Sequence, residues 1–164
     1  MSTAQRIIVG IDGSPASTAA LRWAVRQARN SGSPVLAVSV RGIDVKPPSS
    51  TPLPVTEPLG ADPSREQHAL ALRTAVEELG QDAEGVVIDQ LVPTGEPAKV
   101  LAELSEGAEG LVLGGHGYRR SGLTVIGSVA AHCLRHARCP VTVVPLASVR
   151  ADGTAVPDPA RESR

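Results

Sequence analysis

The residues best suited to chemistry gather between positions 114 and 128, in a run of Gly114, Gly115, His116, Gly117, Tyr118, Arg119 and Arg120 that ends on Gly127 and Ser128. Glycines let backbone amides approach a ligand closely and adopt positive φ. Gly127 and Ser128 stand where a helix begins, so they offer free N–H groups and the positive end of a helix dipole, a setting that suits an anion such as phosphate. Ser128 can add a hydroxyl donor or simply cap the helix. Arg119 and Arg120 could clamp phosphates, and His116 could contact one or titrate near neutrality. Their plainer readings are solvated arginines and a histidine tolerated at a loop tip. On glycine content alone, the run reads equally well as a connector that only turns the chain.

Three other groups invite a chemical role. Asp12 sits at a strand end beside a helix start, but no second acid or nucleophile is paired with it, so it suits a turn or a ribose better than general-base work. His132, Cys133, His136 and Cys139 resemble a metal set at first sight. His132 and His136 share a helix face while Cys133 points about 100° away, and structural zinc sites draw on two separate knuckles, so no protein metal site is assigned. There is no Gly-x4-Gly-Lys-Ser/Thr segment, hence no lysine and magnesium hydroxyl of the Walker kind. Ser-Gly-Gly-x-Asp-Ser, the loop of adenylating pyrophosphatases, is also missing. No catalytic residue is therefore assigned.

The elements that must position these residues alternate along the chain. Arg6 to Ile11 reads as a buried strand, followed by Asp12, Gly13, Ser14 and Pro15, a turn with Ser14 as N-cap and Pro15 at the first helical position. Ala20, Trp23, Ala24 and Gln27 mark a helix that stops at Asn30-Ser31-Gly32. Val35 to Val40 is a second strand. Residues 42–63 are proline-rich and are expected to form a long mobile surface loop. A helix from about Ser64 to Leu79 buries Ala69, Leu72, Ala75, Val76 and Leu79. Val86 to Val92 is the third strand, and Gly95-Glu96-Pro97 opens a third helix with Val100, Leu101 and Leu104 inward. Leu111 to Leu113 is the fourth strand. A fourth helix starts near Ser128 with Val129, Cys133, Leu134 and Ala137 on one face, and Pro140 to Val144 is the last strand. Residues 1–146 are expected to form one domain and 147–164 a disordered tail. Alternation of this kind specifies a doubly wound parallel sheet with helices on both faces, whose ligands bind beyond the carboxyl ends of the strands.

Bulk properties narrow the function further. With 164 residues, 41% hydrophobic and a net charge of -1, the chain is an ordinary globular one, with no surface suggesting nucleic acid or an anionic membrane. No apolar run approaches about 20 residues, so no transmembrane helix is expected. Two cysteines are too few for a disulfide framework, and the start shows no secretory signal, which points to the cytoplasm. With no Phe, one Trp and one Tyr, any bound base must be held by aliphatic walls.

The spacing Gly114-x2-Gly117-x9-Gly127-Ser128 matches the ATP-binding motif Gly-x2-Gly-x9-Gly-Ser/Thr of the universal stress protein family. Val9 to Ser14, Gly95-Glu96-Pro97 and Cys139 to Val144 are similar to that family as well, so the resemblance covers roughly residues 4 to 146. It implies a single-domain five-stranded sheet in the order 3-2-1-4-5, of the adenine nucleotide alpha hydrolase-like kind. It further implies a site in which Asp12 holds the adenosine and Val40 lines the adenine pocket, with Gly10, Ile11 and Leu113 at the neighbouring strand ends. Gly114 and Gly117 would fold the loop around the phosphates, and Gly127, Ser128 and the Val129 amide would hold the β- and γ-phosphates. The cofactor so implied is ATP with Mg2+. The partners implied are an adenine nucleotide and a second copy joined through the edge strand Val141 to Val144. Two positions depart from the family. Gly115 stands where a serine is common, and Arg41 stands close to the expected adenine. The function implied is a nucleotide-responsive regulator of the stress response; a nucleotide-free dimeric scaffold and a slow ATPase are the alternatives.

Overall fold

A computed structural model describes residues 5–43, 62–115, 118–120 and 123–146. Five strands form one parallel sheet in the order β3-β2-β1-β4-β7: β1 (Ile7–Gly10), β2 (Val35–Val38), β3 (Ile88–Leu91), β4 (Gly110–Gly115) and β7 (Val141–Pro145). This is the expected 3-2-1-4-5 arrangement, with the chain's direction across the sheet reversing between β1 and β4. Val9, at the centre, registers with Ala37 of β2 and with Val112 of β4.

Four helices cover the sheet: α1 (Pro15–Ser31), α2 (Pro63–Leu79), α3 (Pro97–Leu104) and α4 (Ser128–His136). Alternate strand residues face opposite layers. Ile7, Val9, Val35, Ala37 and Val112 therefore pack with Leu21, Ala24 and Val25 of α1 and Leu72, Ala75 and Leu79 of α2. Ile8, Leu36, Val38, Leu111 and Leu113 pack on the other face with Leu101 of α3 and Ala130 and Cys133 of α4. Small residues and branched aliphatics fill both layers, as the shortage of aromatics requires.

Several expected boundaries and faces are corrected. The ladder of β3 is shorter than Val86 to Val92 and mostly exposed, because it lies at a sheet edge. Strand β4 runs through Gly114 and Gly115, so those two glycines belong to the sheet and not to a loop. The segment after them contains an antiparallel ribbon, β5 (Tyr118–Arg120) with β6 (Leu123–Val125). In α1 the buried stripe runs through Ala16, Ala20, Leu21, Ala24, Val25 and Ala28, leaving Trp23 and Gln27 at its margin. In α4, Leu134 is 49% exposed and faces outward. Helix α2 starts at Pro63, with the Asp62 side chain accepting from the Arg65 N–H. The rest of the proline-rich segment (44–61) and the tail (147–164) lie outside the described residues. Among the described residues, no helix is long and apolar enough to cross a membrane.

Candidate functional site

At the carboxyl ends of β1, β2 and β4 the sheet opens into a cavity of about 340 Å³, within the usual range for small-molecule sites. Its position follows from topology: crossovers leave β1 and β4 toward opposite faces, and the crevice between them stays uncovered. Of the residues singled out from sequence, Gly10, Ile11, Asp12, Val40, Leu113, Gly114, Gly127, Ser128 and Val129 all line it. Gly117 and His116 lie outside the described residues. Arg119 and Arg120 are on β5, and only their backbone is described.

One wall is the turn from β1 into α1. Asp12 Oδ1 accepts from the Ser14 N–H at 2.9 Å, and Gly13 takes φ 81°, a conformation that favours glycine. Ser14 Oγ then accepts from the Ser17 N–H at 3.2 Å, and Ser17 Oγ donates to the Ser14 carbonyl at 2.8 Å. This network holds the Asp12 carboxylate at the mouth of the cavity, exposed to solvent.

The facing wall is the start of α4. Gly127 occupies its N-cap position with φ -60° and ψ 158°, and among the described residues no side chain caps the helix. A Cβ placed on Gly127 would meet nothing within 4 Å. Neither packing nor φ demands glycine here; what its missing side chain provides is open space over the first amides of α4. Gly114 is the opposite case. A Cβ there would come within 2.6 Å of the Ala16 carbonyl carbon and 2.8 Å of the Ser17 nitrogen. It is glycine because the first turn of α1 packs against the β4 backbone.

The remaining walls are aliphatic, with Val38 at the end of β2, Val40 just beyond it and Leu101 from α3. Arg41 does not enter. Its guanidinium pairs with Asp62 and donates to Thr94 Oγ1 at 3.3 Å, and its backbone bridges to Pro93 and Gly95. Arg41, which the sequence places close to the expected adenine, is not among the residues that line the cavity. Ser14, Ser17, His68, Pro97 and Ala130 also line the cavity and were missed in the sequence. His68 follows the proline-rich segment and carried no local signal, because only the packing of α2 over β2 brings it near. Cys133 is buried, and burial pushes its thiol up, away from reactivity. The His132 and His136 rings lie 4.3 Å apart; among the described residues, no group of three or more His, Cys, Asp or Glu is arranged to hold a metal.

A parallel sheet with its crevice at the β1/β4 reversal, bounded by an Asp turn and a helix start, defines a doubly wound α/β domain with a ligand-sized cavity at its switch point. The sequence profile described as "Universal stress protein family" matches residues 3–145, and the chain belongs to that family. Universal stress protein Rv2005c of Mycobacterium tuberculosis is 33% identical over 156 residues, covering 93% of this chain and 50% of that protein. The chain thus spans about half the length of the curated relatives it matches. A universal stress protein from Archaeoglobus fulgidus in complex with dAMP superposes with a TM-score of 0.63 at 22% identity, over 85% of this chain and 97% of that one. An Arabidopsis thaliana family member with AMP bound gives 0.57 at 22% identity, over 95% and 99%.

Proposed function

We propose that the cavity binds ATP, with the adenosine against Asp12 and the aliphatic wall at Val40 and the phosphates on the start of α4. The observation that carries this reading is the uncapped N-terminus of α4, opening through the missing side chain of Gly127 onto the same cavity as the Asp12 turn. Helix N-termini hold anions through their free amides and dipole. Gly10, Ile11, Leu113 and Gly114 form the floor, and Ser128 and the Val129 amide complete the anion cradle; Gly117, His116, Arg119 and Arg120 belong to the segment that leads to it. Family members from Archaeoglobus and Arabidopsis are seen with dAMP and AMP, which supports an adenine nucleotide. The hard oxygen donors lining the cavity, Asp12, Ser14, Ser17 and Ser128, fit Mg2+, which takes few protein ligands and keeps several waters.

The protein then acts as a cytoplasmic, nucleotide-responsive regulator of the stress response rather than as an efficient enzyme. It acts as a homodimer through β7, which among the described residues pairs with a strand on one flank only. Purified protein is expected to unfold at higher temperature with millimolar ATP, because a ligand bound to the native state stabilises it. Gly127→Val should abolish that shift while leaving circular dichroism unchanged. An unshifted wild type would exclude the nucleotide reading. Nucleotide released by heat denaturation separates it from a nucleotide-free scaffold, and phosphate release above the Gly127→Val control would show slow hydrolysis.

A further inference from the structure

His68 of α2 lines the cavity, and its Nδ1 lies 2.8 Å from Ser39 Oγ. Ser39 is 1% exposed and follows Val38 in the chain, its side chain on the opposite face from those of Val38 and Val40. His68 is the one hydrogen-bond partner given for its hydroxyl among the described residues. Were the ring to donate to Ser39, the serine proton would be buried without an acceptor, an unfavourable arrangement. Among the described residues, the arrangement that leaves no buried proton unpaired has the serine donating to Nδ1 of a neutral ring whose own proton is on Nε2. A buried serine thus fixes both the tautomer and the orientation of a ring that faces the cavity.

From this, and resting on the nucleotide reading above, we infer that His68 is a nucleoside-contacting residue whose Nε2–H donates to an acceptor on the base or ribose. A phosphate role is disfavoured by position. Strand β1 separates β2, just beyond whose end Ser39 holds the His68 ring, from β4, whose Leu113 and Gly114 line the cavity with the start of α4. Neighbouring strands stand about 5 Å apart, so the two sites are separated by about 10 Å, several times the length of a hydrogen bond. A group held by the α4 amides is not the group that meets His68, whereas an extended nucleotide reaches both. The Val38 and Val40 side chains supply only apolar contact to the base, so His68 contributes a directional side chain on this side.

The test titrates wild type, His68→Leu, His68→Gln and Ser39→Ala with AMP and with ATP by calorimetry. Folding is checked by circular dichroism and by thermal unfolding without nucleotide. Loss of one neutral hydrogen bond should weaken His68→Leu by about 3- to 10-fold for both ligands alike. His68→Gln, whose amide can donate from a similar reach, should recover much of that loss. Ser39→Ala should fall between them, and 15N spectra of the imidazole should show the Nε2–H tautomer in wild type and a mixture in Ser39→Ala. Unchanged affinities in folded His68→Leu would overturn the assignment, as would a loss for ATP without one for AMP. If wild type binds neither ligand, the nucleotide reading fails first and this inference with it.

Discussion

At the scale of single residues, two glycines of one motif turn out to serve different ends. Gly114 has its missing side chain filled by the first turn of α1, and Gly127 has its own left open. Gly114→Ala should therefore overpack the α1–β4 contact by about 2 kcal/mol, since the nearest atoms are backbone and cannot swing aside. In a calorimetric scan that corresponds to a melting temperature lowered by about 4–8 °C. An unchanged melting temperature would show that the two elements separate freely. The motif spacing announced both glycines, yet it could not divide them, because the division depends on an element almost a hundred residues earlier in the chain. His68 was illegible for the same reason. Its neighbour Ser39 is distant in sequence, and a lone histidine on a helix carries no pattern.

At the scale of elements, Asp62 is the residue that starts α2. The Arg65 N–H donates to its carboxylate, and the Arg41 guanidinium adds to the effect, so the group is held below the usual carboxylate range. A depressed folded value means that its contribution is fully present above the unfolded pKa of about 3.9 and is lost as pH falls through the lower folded value. Asp62→Asn should thus unfold at lower temperature than wild type at neutral pH, with the gap narrowing in acid. A gap that stays constant with pH would remove Asp62 from the account. The starts of α1 and α3 were legible because proline follows a capping residue or an acid at Ser14-Pro15 and Glu96-Pro97, whereas the same signal at Asp62-Pro63 was lost in the proline-rich segment before it. The β5–β6 ribbon was not, since three-residue strands amid glycines carry too little periodicity. Nor could periodicity reveal that the third strand is an edge with exposed side chains.

At the scale of the whole molecule, the alternation of strands and helices determined the architecture, and the strand order placed the crevice. The proposed dimer is a claim at this scale. If two β7 strands pair about a two-fold axis, Thr142→Asp sets like charges near one another across that axis and disfavours pairing. Sedimentation should then show a dimer for wild type and a monomer for Thr142→Asp. A dimer that survives the change would move the interface off β7.

The sparse aromatic content described at the outset also determines how the molecule can be watched. Trp23 packs against the layer built by α1 and α2, while among the described side chains the α3–α4 layer contains neither tryptophan nor tyrosine. Indole emission is therefore a reporter confined to one face of the sheet. The opposite face, with the α4 start that is proposed to hold phosphate, is optically dark. A tryptophan introduced at exposed Leu134 would light that face separately, and the two emissions would tell whether the layers melt together or in turn.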